Sequence, residues 1–252
     1  VGVQPAVGAC SADRVALVAL LVAEGAEVNM IDCEGSTPLS LACWYGLSDI
    51  SELLINHGVD VNLGVGQDGK RALNIVCKWD EVGVAQLLLA RGADVNHLDM
   101  NNETPLHAAC EMGRVAVAQL LLARGADVTK VSTQGLTLLH YACSKGHTDV
   151  ASLLAAAGAS VICTTKNGQT PLHFACWDGH TGVATFLVAA GASVSCCDTD
   201  GRTPLHYACS KGHTEVASLL VDAGASVSCT ETGGMSALHL ACQNGHTEVA
   251  TF

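Results

Sequence analysis

Cys10, Cys43, Cys77, Cys110, Cys143, Cys176, Cys209 and Cys242 stand in register along this chain, every interval being 33 residues except the 34 between Cys43 and Cys77. A fixed period of this length is the signature of a solenoid, in which each unit covers the apolar face of its neighbour. Catalytic and metal-binding motifs do not recur in this way, so the ladder favours binding over catalysis. Equivalent positions in stacked units lie a helix-packing distance apart, ~8–10 Å. That exceeds the ~7 Å Cα separation a disulfide can bridge. The ladder therefore reads as reduced, buried thiols, which suits a cytoplasmic or nuclear compartment.

One unit shows the local logic. In Thr170–Cys176, Thr170 can cap a helix by accepting from an unpaired amide, and Pro171 sits at the first helical position, where its missing N–H costs nothing. Leu172, Ala175 and Cys176 form a small apolar stripe. Gly179 and His180 break the helix, and Thr181 can cap a second one carrying Val183, Phe186 and Leu187. Gly191 ends it, as a residue free to adopt positive φ should.

This pattern recurs throughout. Thr-Pro-Leu-His stands at 104–107, 170–173 and 203–206, with variants at 37–40, 137–140 and 236–239. Gly-His stands at 146–147, 179–180, 212–213 and 245–246, and Gly-Ala closes six units. On these motifs the whole chain resembles the ankyrin repeat family. The resemblance implies an all-α solenoid of paired antiparallel helices with protruding β-turn or hairpin loops. Eight repeats are expected, at about 1–31 (partial), 32–65, 66–98, 99–131, 132–164, 165–197, 198–230 and 231–252 (truncated), forming a single domain. The chain starts inside a repeat with Val1 and stops at Phe252 in mid-helix, which reads as a fragment of a longer protein.

Composition narrows the function. The chain is 49% hydrophobic but only 4% aromatic, so its core is built from Ala, Leu and Val. Its net charge of −12 argues against nucleic acid and anionic membranes, and for a protein partner with a basic or apolar surface. The longest apolar run, Val15–Ala23, is far too short to cross a bilayer, so no direct membrane insertion is expected in this segment.

Several motifs could carry chemistry. Five repeats hold His-x-x-Cys: His107/Cys110, His140/Cys143, His173/Cys176, His206/Cys209 and His239/Cys242. Each pair shares a helix face, but two ligands fall short of the usual four for zinc. The resemblance implies instead that the His bonds backbone in the turns and the Cys fills a small buried slot. Gly64-Val65-Gly66-Gln67-Asp68-Gly69-Lys70 approaches a phosphate loop, yet Arg71 stands where Ser or Thr would hold magnesium. Cys163, Cys196, Cys197 and Cys229 fall in turns and read as turn fillers. No catalytic residues, cofactor or metal are expected, and the chain is not read as an enzyme.

Candidate partner-binding residues are those just after each register cysteine. The resemblance implies that targets meet the turn tips and the concave face of the first helices. The matching residues are Trp44, Tyr45, Lys78, Trp79, Glu111, Met112, Lys145, Trp177, Asp178 and Lys211, a set holding all three tryptophans. Trp44, Tyr45, Trp79 and Met112 fall on three successive repeats and are expected to form one apolar patch. The third repeat departs most from the pattern, with Arg71-Ala72-Leu73-Asn74 as its capping tetrapeptide and Asp80-Glu81 in place of Gly-His. The reading is a protein–protein interaction module serving as adaptor or scaffold. The alternative is a cytosolic assembly or regulatory segment of a larger enzyme or ion channel.

Overall fold

The computed structural model describes residues 11–64, 66, 68–246 and 248. Cys10, Val65, Gln67 and Phe252 lie outside the described residues. The chain divides into two compact units, residues 1–127 and 128–252.

In the first unit helix α1 (Ser11–Ala23) precedes three helix pairs. These are α2 (Pro38–Trp44) with α3 (Ser48–Asn56), α4 (Ala72–Trp79) with α5 (Val82–Ala90), and α6 (Pro105–Glu111) with α7 (Val115–Ala123). The second unit holds α8 (Leu138–Ser144) with α9 (Thr148–Ala156), α10 (Pro171–Asp178) with α11 (Thr181–Ala189), α12 (Pro204–Lys211) with α13 (Thr214–Asp222), and then α14 (Ala237–Gln243). Within each unit first helices pack on first helices and second on second, so the pairs form a double row. The described residues contain no sheet, only isolated bridges between Val131 and Thr137 and between Thr230 and Ser236.

Short helices need tertiary packing to persist. It comes here from a repeated set of small and branched side chains. Leu172, Ala175 and Cys176 of α10, and Val183, Ala184 and Leu187 of α11, are all buried, as are their equivalents in neighbouring repeats. Each buried leucine contributes about 1.5–3 kcal/mol. The register cysteines Cys43, Cys77, Cys110, Cys143, Cys176 and Cys209 are buried in the same rows. Cys242 departs from the sequence reading and is exposed.

The starts of the first helices share one device. In α2 the Thr37 amide donates to Ser40 Oγ at 2.9 Å and the Ser40 amide to Thr37 Oγ1 at 3.1 Å, a reciprocal box. Elsewhere a histidine takes the serine's place. The Thr170 amide donates to His173 Nδ1 at 3.0 Å, and the Thr137 and Thr203 amides do the same to His140 and His206. An amide can only donate, so Nδ1 is the acceptor and the ring proton sits on Nε2. From there His140 reaches the Gln169 carbonyl at 3.0 Å and His173 the Arg202 carbonyl at 3.1 Å, tying each repeat to the next. In His140 and His173 both ring nitrogens are thereby engaged, which leaves neither free for a metal, whereas the His206 Nε2 is buried without a hydrogen-bond partner among the described residues.

Second helices are tied differently. Thr181, expected to cap α11, is instead its first residue, and its hydroxyl donates to Glu215 at 3.3 Å. The cap position belongs to His180, whose Nε2 donates back to the Ser144 carbonyl at 3.0 Å. His213 reaches Trp177 and His246 reaches Ser210 in the same way. In the first unit Arg114 does this work, its Nε donating to the Lys78 carbonyl at 3.0 Å. That unit also carries a ladder of its own, in which Asn29, Asn62 and Asn96 accept the amides of Asp60, Asp94 and Asp127.

The third repeat is compensated rather than broken. Its Asn74 accepts the Arg71 amide at 3.3 Å, preserving half of the capping box. Asp80 adopts the left-handed conformation, φ 63°, that glycine supplies in the equivalent turns. Glu81 accepts from Ser48 Oγ at 2.8 Å, a tie to the preceding repeat.

Candidate functional site

The residues after the register cysteines sit where first helices end, because the helix stripe that buries the cysteine turns its successors outward. Trp44 and Tyr45 are each 49% exposed and Trp177 is 42% exposed. Lys145, Asp178 and Lys211 are exposed, whereas Lys78, Trp79, Glu111 and Met112 are half-buried. The Trp79 indole Nε1 is enclosed without a hydrogen-bond acceptor among the described residues.

In the first unit Trp44 and Tyr45 overlook a cavity of about 420 Å³ together with Leu41, Ile75, Glu34 and Lys70. Trp79 and Met112 are not among its walls. Trp79 is equivalent to Tyr45, and Lys78 stands where the second repeat has Trp44. The glycine-rich stretch contributes to the same cavity through Gly66, Asp68 and Lys70. Lys70 Nζ lies 2.8 Å from Asp68 and 3.6 Å from the buried Asp99. Burial would lower its pKa, but the bond to Asp68 and the charges of Asp68, Asp99 and Glu103 outweigh it and raise the value. A lysine so surrounded by carboxylates is poorly placed for phosphate. The glycines serve the turn: a Cβ on Gly64 would lie 2.5 Å from Thr37 Cγ2.

The second unit holds the more organised site. Phe174, Trp177, His173, Tyr207, Gln169 and Arg202 line a cavity of about 270 Å³. Trp177 packs edge-on to Tyr207, with ring centres 5.3 Å apart, and Tyr207 packs edge-on to His173 at 5.6 Å. Lys211 Nζ stands 3.9 Å from the centre of the Trp177 ring, a cation–π contact. The Tyr207 hydroxyl accepts from Gln169 Nε2 at 2.8 Å and donates to Asp198 Oδ2. Burial and the bond to Asp198 push its pKa up to about 12, so it stays a phenol. Asp198 Oδ1 accepts the Asp200 and Arg202 amides at 2.9 and 2.8 Å. The carboxylate is thus buried and fully occupied within the turn.

Trp177 and Lys211 are legible from their position after the cysteine; Phe174, Tyr207, Gln169 and Arg202 are not. The signal for the two rings is a second register: two residues before the cysteine stand Tyr141, Phe174 and Tyr207 in successive repeats.

Five of the buried register thiols are poor nucleophiles. Burial pushes Cys43 up to about 12 and Cys209 up to about 11, and raises Cys77, Cys143 and Cys176 further. Among the described residues no group of three or more His, Cys, Asp or Glu is arranged to hold a metal ion. No described helix is long and apolar enough to cross a membrane.

A family model for ankyrin repeats matches residues 2–64, 63–132, 127–196 and 186–252. The chain belongs to the ankyrin repeat family. Its paired helices, capping tetrapeptides and stacked rows are those of an all-α repeat solenoid. No curated protein matches the sequence at a significant level. Ankyrin repeats are generally protein–protein interaction modules and are typically non-enzymatic.

Proposed function

We propose that this ankyrin-repeat chain is an adaptor or scaffold that holds a partner protein on the ends of its first helices and the adjoining turns. The observation that carries the reading is the Trp177 shelf. A large ring is kept exposed, yet its orientation is set by Tyr207 on one side and Lys211 on the other. Exposed aromatic anchors held rigid lose little side-chain entropy on binding, and truncating such anchors at an interface costs about 2 kcal/mol or more. Trp44 and Tyr45 provide a second anchor point within the first unit. The other candidate positions, Lys78, Trp79, Glu111, Met112, Lys145 and Asp178, stand at the corresponding ends of first helices.

The test is capture from native extract on the immobilised chain, comparing wild type with Trp177→Ala and Trp44→Ala. Proteins held by the wild type should be lost from at least one variant while its circular dichroism and melting remain those of a folded chain. Undiminished capture by the double variant would remove both anchors from the interface. Trp79 is a less suitable probe, since its half-buried ring also packs within the fold.

A further inference from the structure

We propose that the occupant of the second unit's face is an extended acidic segment of a partner protein, with one apolar side chain seated in the Trp177–Tyr207 cavity. The inference rests on the reading of this face as a partner site and names its chemistry.

The charges of the second unit are sorted by side. Its five cations, Lys130, Lys145, Lys166, Arg202 and Lys211, all lie in the turns or at the ends of first helices. None lies on α9, α11 or α13. Those second helices carry the exposed acids Asp149, Glu215 and Asp222 instead. Two further carboxylates on the turn side are withdrawn from the surface. Asp198 is buried and occupied by two amides and the Tyr207 hydroxyl. Glu231 is buried, accepts the Gly233 amide at 3.0 Å and lies 3.8 Å from Arg202 Nε. Asp178 and Asp200 remain exposed there. Arg202 is offset by Glu231, so the exposed charges of this side are Lys145, Lys166 and Lys211 against Asp178 and Asp200, a slight local excess of cations within a chain of net charge −12.

The arrangement also defines a spacing. Lys145 and Lys211 hold equivalent positions two repeats apart, about 16–20 Å at ordinary helix-packing distances. An extended peptide covers that span in about five or six residues at ~3.3 Å each. Trp177 and its cavity fall between the two lysines in the repeat order. Carboxylates at either end of such a segment would meet the lysines, and a leucine- or phenylalanine-sized side chain between them would meet the aromatic walls. Nucleic acid is also anionic, but five cations dispersed over several repeats of an acidic chain make a weak phosphate track.

The test is fluorescence anisotropy on the whole chain with four labelled probes. These are a glutamate-rich dodecapeptide with a central phenylalanine, its glutamine counterpart, its lysine counterpart, and a single-stranded oligonucleotide of matching length. Saturable binding of the glutamate peptide alone is expected, weakening at least about tenfold between roughly 50 and 300 mM salt. It should weaken by a similar factor in K145E/K211E, and also in Trp177→Ala. Equal or tighter binding of the glutamine or lysine peptide, still lost in Trp177→Ala, would overturn the acidic partner and keep the interaction face. Tighter binding of the oligonucleotide, or no binding of the glutamate peptide, would overturn the inference. The interaction face itself then stands or falls on the capture experiment.

Discussion

His140 Nε2 donates to the Gln169 carbonyl at 3.0 Å while its Nδ1 accepts the Thr137 amide at 3.2 Å, so one ring caps its own helix and ties it to the next repeat. This pair of hydrogen bonds requires the neutral imidazole, because a protonated Nδ1 could no longer accept. Burial pushes the His140 pKa down to about 4, and burial lowers His173 and His206 as well. In the unfolded chain a histidine titrates near ~6.5. Between these values the unfolded state binds protons that the folded state refuses. Stability is therefore full above about pH 6.5 and falls as the pH drops toward 4, by on the order of 3 kcal/mol for His140 at ~1.4 kcal/mol per unit. Urea midpoints measured across this range should show the decline. His140→Asn, which copies the Asn74 arrangement of α4, should lose stability at neutral pH but decline less steeply. Identical slopes for the variant and the wild type would remove His140 from the account.

Asp80 is the non-glycine residue in a turn where Gly46, Gly113, Gly146, Gly179, Gly212 and Gly245 all take positive φ. A side chain in the left-handed region costs about 1 kcal/mol or somewhat less for aspartate. Asp80→Gly should therefore raise the unfolding free energy by up to about 1 kcal/mol, read as a higher urea midpoint with an unchanged slope. A lower midpoint would mean that the aspartate side chain contributes an interaction worth more than the strain.

The twelve described cysteines are free thiols but not equally available. Maleimide labelling followed by peptide mapping should mark Cys33, Cys197 and Cys242 first, since all three are exposed. Cys197 should be the slowest of these, because burial and the neighbouring Cys229, Asp198 and Cys196 raise its pKa. Cys43, Cys77, Cys110, Cys143, Cys176 and Cys209 should stay unlabelled until denaturant is added. Labelling of Cys176 as fast as Cys33 would contradict its placement in the core.

Much of the fold is legible because each repeat restates one local grammar. Thr170, Pro171 and Gly191 specify a start and a stop through their own backbone chemistry, whatever surrounds them. Positions that depend on a neighbour are less legible. Thr181 has a capping side chain, yet the His180 ring takes the boundary because a carbonyl of the previous repeat is within its reach. Cys242 matches its forerunners in sequence and yet is exposed where they are buried. Tyr207 is marked by its register two residues before Cys209, but its role is set by Gln169 and Asp198 in two different turns.

The sequence alone determined the period, the helix pairs, the small-residue core and the helix ends at which Trp44, Trp177 and Lys211 emerge. These follow from local propensity and from a pattern repeated often enough to exclude other folds. Only the tertiary structure decided which charges reach the surface. Asp198 and Glu231 count as anions in the composition, but hydrogen bonds in their turns draw them inward and leave Lys145 and Lys211 on the exposed side. Electrostatic character belongs to a face, and a face exists only once the repeats have stacked.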